Sequence, residues 1–320
     1  MPDTNIDQDS LTAPGPQSFR QPWDARPERL DKVLARLIPE HSRSRLQGWI
    51  EGGHVLVNGV AGRVKQIVGP GDELTVWRQP PPDAMAFSPE PVEFGVVGQG
   101  ENWIVVFKPA GLVTHPGAGN WTGTLLNGLL HRFPELAQVA RAGIVHRLDK
   151  DTSGLLVVAR NEQAQTHLVR QLQARTVSRE YIALVHGRLV AGGTVDAAIG
   201  RDVRVPVRMS TDRPIAPKQA ITHYEPQRAG RLDPGGAVTE VICRLETGRT
   251  HQIRVHMASI GHPLVADVLY GGKTLEVMQR QMLHARGLSF DEPGSNRLLS
   301  FEAPPPPDFN KVLQEVAWES

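Results

Sequence analysis

The apolar run Leu155-Leu156-Val157-Val158-Ala159 is entered directly from the polar stretch His146-Arg147-Leu148-Asp149-Lys150-Asp151-Thr152-Ser153-Gly154. Five apolar residues without polar alternation read as a buried strand, so the chain must build a sheet whose inner strand carries a charged turn. Asp149 lies in that turn between Arg147 and Lys150. A charged turn anchored on a buried strand is where a catalytic group is usually mounted. The plain alternative is a turn or N-cap aspartate with solvated basic neighbours, and for an isolated D-x-x-S/T-G it would stand.

Further strand-like runs are Trp103 to Phe107, Tyr181 to Val185 and Val238 to Leu245, separated by loops rich in Gly and Pro. No helical pattern of about 10 to 15 residues alternates regularly with them, which predicts an α+β domain with a mixed, mostly antiparallel sheet rather than a doubly wound parallel one. The chain has no G-x-G-x-x-G turn, no phosphate loop and no internal repeat. Its 320 residues suggest about two domains. No apolar run reaches the roughly 20 residues that span a bilayer, and Met1 to Arg26 lacks the basic start and apolar centre of a signal peptide. A cytoplasmic protein without membrane contact is expected. The single cysteine, Cys243, lies in an apolar alternating run and reads as a buried structural thiol.

Net charge is only +1, but residues 141–213 hold 12 Lys/Arg against 7 Asp/Glu. That asymmetry suits one face that meets phosphates. A general preference for Arg, which supplies 28 of the 35 basic residues, explains it equally well.

Residues 1–26 combine Pro, Gln, Asp and Ser with few apolar side chains and are expected to form a disordered tail. Then Leu30, Val33, Leu34, Leu37 and Ile38 give one apolar helical face stopped by Pro39, with Lys32 and Arg36 on another face. A second helix starts near Ser42, with Leu46, Trp49 and Ile50 inward, Arg43 and Arg45 outward, and Gly52-Gly53 at its end. Val55-Leu56-Val57 meets the hairpin signal Asn58-Gly59, and a strand Glu73-Leu74-Thr75-Val76 follows. A module of about 50 residues is too small for an enzyme but large enough to grip RNA. Residues 29–77, with S-R-S-R followed by V-N-G, resemble the RNA-binding module named for small-subunit ribosomal protein S-four. The expected domains are that module at 27–77, a stiff Pro-rich linker at 78–91 and a large domain at 92–320.

The stretch His146–Gly154 resembles the H-R-L-D-x-x-T/S-S/T-G motif of the RluA-type pseudouridine synthases, and Lys108-Pro109-Ala110-Gly111-Leu112, His262-Pro263-Leu264 and Tyr270-Gly271 match other segments of that family. The resemblance implies that Asp149 is catalytic. It places Tyr181, in Arg179-Glu180-Tyr181, at the base-stacking position, and Arg254, in L-E-T-G-R-T-H-Q-I-R-V-H, as partner of the aspartate. It makes Arg147 the residue that fills the stack after a uridine flips out. A neighbouring guanidinium favours the ionised carboxylate. His146, Arg249, Lys32, Arg36, Arg43 and Arg45 join Arg147 as candidate RNA contacts. The reaction such a family performs cuts and remakes a glycosidic bond with no loss of atoms, so no cofactor and no metal is expected. The 12 histidines show no recognised ligand spacing.

The likeness is strongest to the subgroup called RluD, which implies large-subunit ribosomal RNA as partner, in the helix 69 loop, and a monomer without an obligate protein partner. Another rRNA stem-loop or a tRNA is the alternative within the family, because residues 204–217 and 226–236 depart from the pattern. A non-catalytic RNA-binding or ribosome-assembly protein would not need Asp149, Tyr181 and Arg254 together. A nucleoside hydrolase or glycosidase usually needs a second carboxylate, for which Asp151 and Glu180 are candidates without a supporting motif.

Overall fold

In a computed structural model, residues 15–79, 86–117, 119–233, 236–276 and 278–319 are described. The chain divides into two compact units, Met1–Pro81 and Pro82–Ser320.

The small unit contains β1 (Gln17–Arg20), β2 (Glu28–Arg29), α1 (Leu30–Leu37), α2 (Arg43–Glu51), β3 (Val55–Val57), β4 (Val60–Ala61), β5 (Ile67–Val68) and β6 (Glu73–Val76). The apolar stripe of α1 packs Leu30, Val33 and Leu34 against Leu46, Trp49 and Ile50 of α2 and Val55 and Leu74 of the sheet. Ser42 caps α2 by accepting from the Arg45 N–H at 3.4 Å. Asn58 and Gly59 take the positive φ values, 51° and 80°, that a two-residue hairpin between β3 and β4 requires.

Two expectations need correction. Residues 1–14 of the expected tail lie outside the described residues, but Gln17–Arg20 forms an ordered strand, with Phe19 opposite Leu74 of β6. One apolar side chain in four residues gives no sequence signal, and the strand forms because β6 offers an open edge. Residues 80–85 of the expected linker also lie outside the described residues. Residues 86–91, however, are docked rather than free: Ala86 is buried, and Asn127 donates to the carbonyls of Ala86 and Ser88.

In the large unit the elements are β7 (Gly95–Gln99), β8 (Trp103–Lys108), α3 (Leu125–Arg132), β9 (Ser153–Ala159), α4 (Glu162–Ala174), β10 (Ser178–His186), β11 (Gly193–Asp196), β12 (Ile199–Arg201), β13 (Met209–Ser210), β14 (Ile215–Lys218), β15 (Ile221–Leu232), β16 (Gly236–Leu245), α5 (Gln252–Ser259), β17 (Leu283–Asp291), β18 (Leu298–Glu302), α6 (Pro307–Glu315) and β19 (Ala317–Trp318). The main sheet runs β11-β15-β16-β10-β17-β9-β8-β7, with β18 on β17 and β19 on β15. Every pairing among its described strands is antiparallel except β9 with β17. The expected α+β class and mixed, mostly antiparallel sheet are therefore present.

All seven residues of β9 are buried because both faces are covered. Leu155 and Val157 meet Ala164 and Leu168 of α4, whereas Leu156 and Val158 meet Leu125 and Leu129 of α3 and Ile253 of α5. Strand β10 divides its side chains in the same way: Tyr181 and Ala183 join the α5 side, and Ile182 and Leu184 join Phe309 and Val312 of α6. Gly154, at φ 126°, lets β9 approach β17, since a Cβ there would collide with the Ala285 carbonyl. Among the described residues no helix is long and apolar enough to cross a membrane.

Candidate active site

Asp149 stands at the lip of the inner strand, in a turn whose backbone is held almost carbonyl by carbonyl. Thr114 Oγ1 donates to the Leu148 carbonyl at 2.8 Å. Lys108 Nζ donates to the carbonyls of Pro109, Leu112 and Lys150 at 2.9, 2.8 and 2.9 Å. Arg280 Nη1 donates to the Asp151 carbonyl at 3.1 Å, and Gln281 Nε2 to Thr152 Oγ1 at 3.2 Å. Lys108 is fully buried, and burial pulls its pKa down to about 7 against the opposing pull of Asp149 and Asp151. Three carbonyl acceptors match the three donors of an ammonium, so the charged form is the one this geometry holds. Upstream, a Cβ at Gly143 would run into the Ala159 carbonyl, so the chain can enter the site this close to β9 only at a glycine.

Helix α5 brings Arg254 to the aspartate: Arg254 Nη1 lies 3.2 Å from Asp149 Oδ2. Arg254 is buried, not the surface helix cation that its position in the sequence would otherwise suggest. Its other donors engage a second carboxylate, Nε to Asp267 Oδ2 at 2.7 Å and Nη2 to Asp267 Oδ1 at 2.8 Å. Burial works against the guanidinium charge, but the hydrogen bonds and charge of Asp267, then those of Asp149, outweigh it and raise the Arg254 pKa above its ordinary value. Asp267 is fully enclosed, whereas the Asp149 side chain keeps 15% of its surface. One carboxylate anchors the cation and the other faces the cavity.

Tyr181 lies on β10 beside Asp149, at a register shift between Glu180 and Tyr181. It is buried, which pushes its phenol up to about 12, so it is neutral at ordinary pH. The cavity, about 540 Å³, is lined by Asp149, Tyr181 and six arginines, Arg141, Arg147, Arg175, Arg179, Arg249 and Arg254, with Glu246 the second acidic lining residue. Such a lining suits a polyanion. Cys243, opposite Tyr181 in the sheet, is a buried free thiol that burial pushes up to about 12, as the sequence led one to expect of a structural residue.

The other candidates separate. Arg147 is exposed at the cavity with no hydrogen bond or ion pair among the described residues, and Arg249 is exposed with its Nε on the Gln219 carbonyl. His146, a candidate RNA contact, lines the cavity, but its Nε2 accepts from the Val157 N–H at 3.1 Å, and burial, with Arg179 and His115 nearby, pulls its pKa down to about 3. It is a neutral brace between the turn and β9.

In the small unit Lys32 is exposed and unpaired among the described residues, and Arg36 is exposed on Glu28 at 2.8 Å. Arg43 is committed to the buried Asp31 through Nε and Nη2, and Arg45 donates to the Gln79 carbonyl and lies over Trp49. Those two arginines hold the unit together, which helical outward placement alone does not reveal.

Sequence reasoning passed over Asp267, Lys108, Thr114 and Arg179. A lone carboxylate after Leu264-Val265-Ala266 was a usable signal, since a buried charge needs a partner. Arg179 is buried with its Nε unpartnered and its Nη2 on the Leu245 and Glu246 carbonyls, and nothing local in the sequence foretells that.

Residues 102–259 match the family model described as RNA pseudouridylate synthase, and residues 28–74 match the S4 domain. The chain is 47% identical over 303 residues to ribosomal large subunit pseudouridine synthase D of Neisseria meningitidis serogroup B, covering 91% of this chain and 79% of that one. It is 47% identical over 313 residues to the protein of the same name from Xylella fastidiosa, covering 93% and 92%. Among solved structures, human RNA pseudouridylate synthase domain containing 1 is similar with a TM-score of 0.56 at 27% identity, over 76% of this chain and 92% of that one.

Proposed function

The chain belongs to the RNA pseudouridylate synthase family, and from that premise we propose that it isomerises uridines of large-subunit ribosomal RNA to pseudouridine in the cavity that holds Asp149. Its relatives carry that substrate in their names. The helix 69 loop is the site we assign, on the likeness of the motifs, and the cytoplasm the place of action. The observation that carries the mechanism is the pairing of Asp149 with Arg254 under a neutral tyrosine, in a cavity lined by arginines.

The reaction breaks the bond from ribose C1′ to uracil N1, turns the base and forms C1′–C5. The C5 proton leaves and N1 gains one, so atoms balance without an external reagent. Arg254 engages only Oδ2 of Asp149, leaving Oδ1 for the nucleotide. Tyr181 offers a ring face against which the detached base stays in place while it turns. A duplex or stacked loop cannot present its uridine to this enclosed site, so the nucleotide must flip out at a cost of a few kcal/mol. Arg147, exposed at the mouth, is placed to restore stacking behind it.

Hydrolysis fits less well. A glycosidase needs a second carboxyl group that can give a proton to the leaving group. The other two carboxylates at the site are both committed: each oxygen of Asp267 is taken by Arg254, and those of Glu246, which lines the cavity, by Arg175 and His223.

The test is to map pseudouridines in rRNA from cells with and without this gene. Loss of sites in the helix 69 loop supports the assignment. Loss elsewhere in rRNA or in tRNA would move it to that RNA, and no loss at all would sink it.

A further inference from the structure

Residues 199–218 form a small separate sheet, β13-β12-β14, that carries Arg201, Arg204, Arg208, Arg213 and Lys218 against Asp202 and Asp212. Val203, Val207 and Ile215 on this lobe are more than half exposed. One buried residue joins the lobe to the catalytic pair. Tyr270, at the end of the short turn Val268–Tyr270, accepts from the Met209 N–H at 2.9 Å, and its oxygen lies 2.7 Å from His251 Nδ1. The hydroxyl thus accepts from the lobe and shares a second hydrogen bond with the imidazole, whose tautomer sets the direction of that bond. The guanidinium carbon of Arg254 lies 5.0 Å from the centroid of the Tyr270 ring, and that of Arg208, from the lobe, lies 5.4 Å away.

His251 gives the connection its leverage. It begins α5 in the left-handed region, at φ 57°, which costs a non-glycine residue roughly 1 to 2 kcal/mol. Such a conformation persists only where neighbours hold it, and the Tyr270 hydroxyl is the side-chain partner of its ring. Arg254 follows three residues later on the same helix. The tyrosine therefore touches the catalytic arginine directly and also anchors the start of its helix, while the far side of its hydrogen-bond chain is main chain of the lobe.

We propose that Tyr270 is a positioning residue through which the basic lobe 199–218 sets Arg254, and with it Asp149, so that RNA held against the lobe improves turnover at the target uridine. The proposal rests on the RNA-modifying function above and adds to it a dependence of rate, not only of affinity, on RNA beyond the reacting nucleotide. Phosphates seated on the lobe restrain β13, Met209 N–H restrains the phenol, and the phenol restrains the guanidinium.

The test compares full-length wild type and Tyr270→Phe on two RNAs labelled with tritium at uridine C5, since forming C1′–C5 expels that hydrogen. One RNA is the complete rRNA stem-loop, and the other is a five-nucleotide oligomer around the same uridine, too short to reach the lobe. Single-turnover rates are read at saturating enzyme, and Kd is measured separately. Wild type is expected to be faster on the stem-loop. Tyr270→Phe should cut that advantage on the order of tenfold, in keeping with the effect of a small misplacement on a reacting group, while the stem-loop binds as tightly as before.

An equal fall on both RNAs, or on neither, overturns the proposal, since a purely structural role would not distinguish them. Arg208→Ala removes the lobe's cation from the face of the Tyr270 ring while leaving the hydroxyl with Met209 and His251, and should compress the ratio in the same direction. It decides the matter if Tyr270→Phe does not fold. Wild type that releases no tritium from either RNA overturns the function and this inference together, whereas normal wild-type turnover with no change in ratio overturns the inference alone.

Discussion

Arg254 serves two carboxylates with unequal duties, and the inequality sets how each substitution should behave. Asp149→Asn keeps the shape and removes the charge, so the protein should fold and bind RNA yet release no C5 tritium, because an amide cannot do the work of the carboxylate. Arg254→Ala should also abolish turnover, and the double variant should be hardly slower than Asp149→Asn alone, since the two act as a unit. Asp267→Ala is different: it removes the anchor and leaves a buried guanidinium with one partner at 3.2 Å. Breaking a buried pair costs about 3 to 5 kcal/mol, so its thermal midpoint should fall clearly while RNA affinity changes little. A variant as stable as wild type would show that Asp267 does not anchor Arg254. In the small unit Asp31 is fully buried, and burial alone would raise its pKa, but hydrogen bonds from Gln47, Arg43 and Arg29 hold it well below its ordinary 3.8. A depressed native value adds stability above the unfolded pKa that is lost as pH falls below it. The protection factors of α1 amides, which correct for intrinsic exchange, should therefore fall as pH drops from about 5 toward 2, and Asp31→Asn should flatten that dependence.

At the scale of elements, the turn that carries Asp149 is held through its carbonyls as well as through the side chains of His146, Asp149 and Thr152. Lys108→Met would leave the Pro109 and Leu112 carbonyls without a donor and the Lys150 carbonyl with the Gly111 N–H alone, at about 1 to 3 kcal/mol for each orphaned carbonyl, so it should lower both the unfolding midpoint and the single-turnover rate. Thr114→Val releases one carbonyl and should cost about half as much by the same measure. Equal effects of the two would argue against this account of the turn. How much of it was legible in the sequence depended on distance along the chain. The strands β8, β9 and β10 could be read because continuous apolar runs report burial on both faces, and β16 because its apolar residues alternate with polar ones. The helices of the small unit could be read from Leu30, Val33, Leu34 and Ser42. Strand β1 could not, because Gln17–Arg20 owes its state to the edge of β6, some 55 residues away. The pairing of Asp149 with Arg254 was legible through motifs, whereas the contacts of Lys108, Asp267 and Tyr270 join segments that no local pattern connects. His146, Arg43 and Arg45 carry a further lesson, that a basic side chain in a suggestive motif also has partners inside the protein that the motif does not reveal.

For the whole molecule, each unit has a hydrophobic core of its own. Removing residues 1–81 should leave a folded enzyme that still isomerises uridine in a short RNA, binds structured rRNA more weakly and shows a flatter salt dependence, by about 0.7 for each single-strand phosphate no longer neutralised. Removing residues 1–90 should be worse, because Asn127 then loses its acceptors at Ala86 and Ser88 and Gly123 loses Glu90. Comparing the melting midpoints of the two truncations separates the docked segment from the RNA-binding module. The joint between β9 and β17 has a further consequence. Only His284↔Ser153 and Ala285↔Gly154 form it, yet it closes a loop of about 130 residues, and parallel pairings of such long range form late and slowly. During synthesis, a ribosome has made the catalytic turn long before it makes its support from Arg280, Gln281 and β17. A nascent chain therefore carries every motif of the site while still lacking the frame that aims it, and a message truncated before residue 280 yields a protein that holds the aspartate but cannot modify the ribosomes around it.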